Sequence, residues 1–107
     1  VTQDFTTAVL WYRKAAEQGL PDAQNNLGKC YHRGQGVPKN YQVAFQWYKK
    51  AAEQGHAGAQ NNVGACFDEG KGVPRNVTTA KYWYRKAIEQ GHEIAKLNLE
   101  ILEKEGY

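Results

Sequence analysis

"WYRKAAEQG" at Trp11–Gly19 recurs as "WYKKAAEQG" at Trp47–Gly55 and as "WYRKAIEQG" at Trp83–Gly91, each copy 36 residues after the last. A fixed period of this size is the signature of stacked supersecondary units. The repeat reaches well beyond the quoted stretch. Residues 15–50 and 51–86 are identical at 20 of 36 positions, every glycine of the first segment included, so duplication relates them.

Each period holds two segments with helical spacing. Ala44, Trp47, Tyr48, Ala51 and Ala52 fall at i, i+3, i+4, i+7 and i+8, one face of an α-helix, here called helix B. Asp4, Asn40 and Asn76 precede the three copies, and their side-chain oxygens suit the free N–H groups of a first turn. Gly19, Gly55 and Gly91 follow, where a left-handed residue ends a helix. The second segment, helix A, places Ala23, Leu27, Cys30 and Tyr31 in the core, repeated as Ala59, Val63, Cys66 and Phe67. Gly28 and Gly64 sit in mid-helix, where glycine costs about 1 kcal/mol relative to alanine. Its recurrence at one site predicts the close approach of an aromatic ring from a neighbouring helix. The spacing predicts helix B over about 4–18, 40–54 and 76–90, and helix A over about 22–33, 58–69 and 93–105.

Between A and B run "GQGVPKN" at Gly34–Asn40 and "GKGVPRN" at Gly70–Asn76. A phosphate-binding glycine loop follows a strand and opens a helix onto the phosphate. These loops follow a helix and lack a Gly-Lys-Ser/Thr ending, so they are read as turns with Pro38 as stiffener.

The repeated pattern "AQNNLGKCYHRGQGVPKN" followed by "AFQWYKKAAEQG" resembles the Sel-1-like repeat, and the resemblance covers nearly all of the chain. It implies an all-α fold: about three helical hairpins stacked as a right-handed superhelical solenoid, akin to tetratricopeptide repeats. It also implies a function, since members are mostly adaptors or scaffolds that assemble protein complexes. Some secreted members staple each hairpin with a disulfide. The positions that align with those cysteines are Ala16 and Ala23 here.

The chain departs from the pattern at both ends. It opens at the Gly-Val turn, so the stack reads B, A, B, A, B, A; with Val1 first and no methionine, it is expected to be part of a longer protein, a single repeat domain over 1–107. In the last helix A, Glu100 stands where the packing glycine was and Glu103 where the aromatic was, as in a capping helix. Ile94, Leu97 and Ile101 add an apolar stripe there that calls for a cover, self-association through it included.

Composition narrows the function classes. Fourteen basic against 11 acidic residues give a net charge of +3 without a block of like charge, so no nucleic-acid arm is expected. No apolar run approaches the roughly 18 residues of a membrane span, and no membrane insertion is expected. The repeat style resembles bacterial members, and a periplasmic or secreted location is preferred over a cytoplasmic one.

Catalytic and metal chemistry find little support. Cys30 and Cys66 occupy equivalent positions on neighbouring A helices and read as reduced core thiols. Residues 30 and 32 lie about 200° apart around a helix, which defeats a zinc site from Cys30, His32 and Cys66. His56 and His92 read as turn residues, and "NVT" at Asn76 as a helix cap rather than a glycosylation site. No nucleophile, base and orienting group come together. No enzyme, cofactor or metal is expected.

Specificity is sought where the repeats differ. Lys29, His32 and Arg33 become Ala65, Asp68 and Glu69, then Ile101, Lys104 and Glu105. With Ala23, Leu27, Cys30 and Tyr31 inward, the expected concave strip is Asn25, Lys29, His32, Arg33, Asn61, Ala65, Asp68, Glu69, Leu97 and Ile101. It runs from basic through acidic to partly apolar and suits a protein or peptide segment. Asn26, Asn62 and Asn98 are read as hydrogen-bonding between helices, with a ligand ladder as the alternative. The chain is thus read as a protein-interaction module. The alternatives are a structural spacer within a longer repeat protein and an enzyme with a site in the groove.

Overall fold

The computed structural model describes residues 4–107, and the expectation about Val1 lies outside them. Six helices follow one another: α1 (Phe5–Glu17), α2 (Pro21–Arg33), α3 (Tyr41–Glu53), α4 (Ala57–Glu69), α5 (Val77–Glu89) and α6 (Glu93–Lys104). Among the described residues there is no strand. The odd-numbered helices are copies of B and the even-numbered ones copies of A, as the spacing predicts. Each helix packs on the next, with a smaller contact between α4 and α6, and the stack measures 42 × 27 × 24 Å. This nearest-neighbour plan is that of an α-solenoid. No helix in it is long and apolar enough to cross a membrane.

The helix ends follow the expected chemistry. Asp4, Asn40 and Asn76 each accept from the backbone N–H three residues on. His56 and His92 do the same work for α4 and α6: their Nδ1 atoms accept from the Ala59 and Ala95 amides at 3.0 and 3.1 Å. The A-to-B turns are sterically locked. Gly36 and Gly72 have φ of +78° and +80°, and a Cβ there would stand 2.5 Å from the Phe5 carbonyl oxygen or 2.4 Å from that of Tyr41. Only glycine meets both conditions. Each turn therefore clamps the start of the B helix before it.

Three core clusters lie along the stack, one per hairpin. Trp47 on α3 packs against the first cluster and Trp83 on α5 against the second, so each reaches back to the hairpin before it. Trp11 has no such cluster to meet among the described residues and is 66% exposed. Trp47 and Trp83 thus join adjacent hairpins from half-buried positions, and Trp11 does not. Of the repeated aromatics Tyr48 and Tyr84 are the buried ones, at 4% and 1% exposure. Their rings lie against Gly28 and Gly64, the close approach that the mid-helix glycines predict.

Two side-chain ladders bind successive repeats. Buried Gln24 donates to the Ala16 carbonyl and accepts from Gln54 of the next hairpin at 2.8 Å; Gln60, Ala52 and Gln90 repeat this, with 3.0 Å between the two glutamines. In the second ladder Asn62 donates to Asn25 Oδ1 at 2.9 Å and Asn98 to Asn61 Oδ1 at 3.0 Å. Buried amides need such partners, and the amide-to-amide bonds cross from one hairpin to the next while the bonds to Ala16 and Ala52 close each hairpin on itself. The expected inter-helix role of Asn62 and Asn98 is thus found.

Candidate functional site

Two depressions adjoin along α2. One, of about 350 Å³, is lined by Asp4, Tyr12, Asn26, Lys29, Arg33 and Gln35 with apolar neighbours from α1. The other, of about 260 Å³, is lined by Lys29, His32, Arg33, Tyr48, Asn62, Ala65 and Glu69. Lys29 and Arg33, one turn apart on α2, belong to both and join them into a strip. Five of the ten expected strip residues, Lys29, His32, Arg33, Ala65 and Glu69, are therefore brought together.

The other five divide. Asn25 and Asn61 are buried, and their expected place on an open face is corrected: each faces the following repeat and accepts its asparagine. Helix phase alone put them on the polar side, because a ladder acceptor is as polar as a groove residue. Leu97 takes their register position on α6 and is 58% exposed. Ile101 keeps the register of Lys29 and Ala65 and is 54% exposed. Asp68 is held from behind: its carboxylate accepts from the Tyr84 hydroxyl at 3.1 Å and lies 3.7 Å from the Arg75 guanidinium.

His32 fills the place of Asp68 one repeat earlier, and its surroundings differ. Its ring centroid stands 5.1 Å from that of Tyr41 and 6.3 Å from that of Tyr48. Nδ1 is buried with no hydrogen-bond partner among the described residues. Burial first, and then the Lys71 charge, hold the imidazole below its ordinary pKa of 6.5. His32 is thus an uncharged wall of the strip at neutral pH.

The thiols and buried tyrosine hydroxyls around the depressions stay protonated at neutral pH. Burial pushes the Cys66 thiol up to about 12 and raises that of Cys30, so neither is a thiolate at neutral pH. Burial likewise lifts the Tyr48 and Tyr84 hydroxyls well above the ordinary 10. Among the described residues no three His, Cys, Asp or Glu side chains stand together as metal ligands. What the surface combines is charge, amide donors and tyrosine hydroxyls.

The glutamine ladder was not singled out from sequence. Its signal was present, since Gln24 recurs as Gln60, and Gln18 as Gln54 and Gln90.

Comparison with known proteins matches this architecture. A family model described as the Sel1 repeat fits residues 1–20, 21–56 and 57–92. A protective antigen of uropathogenic Escherichia coli displaying an SLR fold superposes with a TM-score of 0.94 at 43% identity, covering 99% of this chain and 23% of that one. A Sel1 repeat protein from Oxalobacter formigenes gives 0.78 at 48% identity over 83% of this chain and 37% of its own. Cysteine rich protein B of Helicobacter pylori gives 0.77 at 30% identity, over 81% and 65% respectively. "DAP3-binding cell death enhancer 1" of rat and of mouse is 42% identical over 39 residues, and the chain spans 8% of the length of each. With three matched copies over residues 1–92 and the same stack of hairpins, the chain belongs to the Sel1 repeat family.

Proposed function

We propose that this chain is a protein-interaction module that seats an extended segment of a partner along the strip presented by α2, α4 and α6. Sel1-repeat proteins are in general interaction scaffolds, and that much comes with the family. The observation that carries the finer reading is the convergence of Lys29, His32 and Arg33 from one repeat with Asn62, Ala65 and Glu69 from the next around one depression. All of these but Asn62, a member of the ladder, are positions at which the repeats differ, while the core and the ladders repeat. A scaffold holding constant parts constant and varying one face presents that face for recognition. Ile101 supplies an apolar contact further along.

A selection of displayed random peptides against the purified chain tests this reading. Enriched peptides are expected, and Ala65→Trp, which fills the depression, is expected to abolish their binding while the circular dichroism spectrum is kept. Enriched peptides that bind Ala65→Trp as tightly as the parent would place recognition on another face. Failure to enrich any sequence would favour a spacer role.

A further inference from the structure

The acidic side chains around the two depressions are each engaged. Asp4 accepts from the Thr7 amide with one oxygen and from the Thr7 hydroxyl with the other. Asp68 is taken by Tyr84 and Arg75. Glu69 lies 3.0 Å from the Lys71 ammonium. The cations Lys29 and Arg33 are in the opposite condition: among the described residues neither has an acidic group within ion-pair distance. The formal sequence of charges, basic and then acidic, therefore misrepresents the first two repeats. At the junction of the two depressions the charge without an acidic partner is positive and sits on one turn of α2.

The neighbours of that turn are hydrogen-bonding groups without assigned work. The Asn26 and Gln35 amides and the Tyr12 hydroxyl line the same depression. None of these side chains hydrogen-bonds another described residue, although the equivalents of Asn26, Asn62 and Asn98, are both consumed in the ladder. Two cations flanked by neutral donors suit a carboxylate, which accepts only. The surface beyond them is mixed, for Ala65 and the paired Glu69 follow, and then Ile101, Lys104 and Glu105. A polyanion with a charge at every step finds no continuing track there.

We infer that, within the interaction role proposed above, the partner segment is an internal acidic stretch whose side-chain carboxylates dock on Lys29 and Arg33, with an apolar residue reaching Ile101. The depressions on either side of Lys29 and Arg33 let the chain run on in both directions, which suits an internal segment rather than a chain end. Helices packed roughly 10 Å apart place α6 roughly 20 Å from α2. An extended chain covers that in about six residues at about 3.3 Å each.

Fluorescence anisotropy with the purified chain tests this. The probes are labelled peptides, acetylated and amidated, with Glu-Glu and a Leu about six residues apart across a Ser/Gly spacer, in both orders. Their Gln-Gln counterparts and a short thymidine oligonucleotide are the comparisons. One Glu-Glu peptide is expected to bind at least roughly tenfold more tightly than its Gln-Gln counterpart, and to weaken as salt rises. Lys29→Glu with Arg33→Glu is expected to remove that advantage; Lys29→Gln with Arg33→Gln, which introduces no repulsion, is expected to remove most of it. Equal binding of the Glu-Glu and Gln-Gln peptides, both lost in Ala65→Trp, would overturn the acidic preference and leave the groove standing. Tighter binding of the oligonucleotide, or no Glu-Glu binding at millimolar protein, would overturn the inference as well. Glu-Glu binding that survives both α2 variants and Ala65→Trp would overturn the inference and the groove together.

Discussion

The ring of Tyr84 lies against Gly64 so closely that a Cβ at that position would meet ring carbons Cδ1 and Cε1 at 2.7 Å. Tyr48 stands over Gly28 in the same way, at 2.6 and 2.7 Å. Both rings are buried and cannot swing aside. Gly64→Ala thus gains about 1 kcal/mol of helix propensity and loses about 1–3 kcal/mol to overpacking. A lower melting temperature is expected, and a variant that melts above the parent would contradict the packing.

The Tyr84 hydroxyl donates to Asp68, while that of Tyr48 has no partner among the described residues. Tyr84→Phe is expected to cost about 1 kcal/mol in chemical denaturation. Tyr48→Phe should cost less. Asp68→Lys removes the same bond and the Arg75 pair, so it lowers the melting temperature instead of acting as a free groove charge. Equal denaturation midpoints for both Phe variants would show that the Asp68 bond contributes nothing.

Removing a ladder acceptor leaves a donor stranded. Asn25→Ala deprives the half-buried Asn62 amide of its partner, at an expected cost of about 1–3 kcal/mol. Asn26→Ala, which breaks no bond among the described residues, should leave the melting temperature nearly unchanged. Comparable losses for the two would refute the ladder's register.

Protonation of His32 opposes folding. The groups that set its charge are Lys71, Arg33 and Lys39, which lower its affinity for a proton, and Glu69, which raises it; the rings beside it are Tyr41 and Tyr48. Its folded pKa lies below the ordinary 6.5, so the unfolded chain binds the proton more readily. Its contribution to stability is therefore full above about pH 6.5, falls as the pH drops from there toward the folded pKa, and levels off below it. Melting curves at pH 7.5 and 5 should show a decline that His32→Gln reduces. An identical decline in His32→Gln would assign the effect to other groups.

Much of the fold was legible because its determinants are local. Caps such as Asn40, the closing Gly55 and the turn around Gly36 act within a few residues of themselves, and the 36-residue period repeats them. The glycine at 64 even announced its partner, since only a close approach repeats a glycine in mid-helix. The groove was half legible. Helix phase separates inward from outward, but it does not tell a side chain facing the next repeat from one facing solvent, so Asn25 and Asn61 were misplaced. Nor does it reveal pairing across helices. Asp68 and Arg75 meet through a turn, and Tyr84 reaches Asp68 from α5, so the formal charge of that repeat is not the charge a partner meets.

The most direct test of recognition on the inner face is amide chemical-shift mapping of the labelled chain with a selected peptide. The largest changes are expected at Asn26, Lys29, Arg33, Ala65 and Ile101 on α2, α4 and α6. Changes confined to the outward residues of the B helices, such as Gln46, Trp11 and Tyr82, would contradict the account.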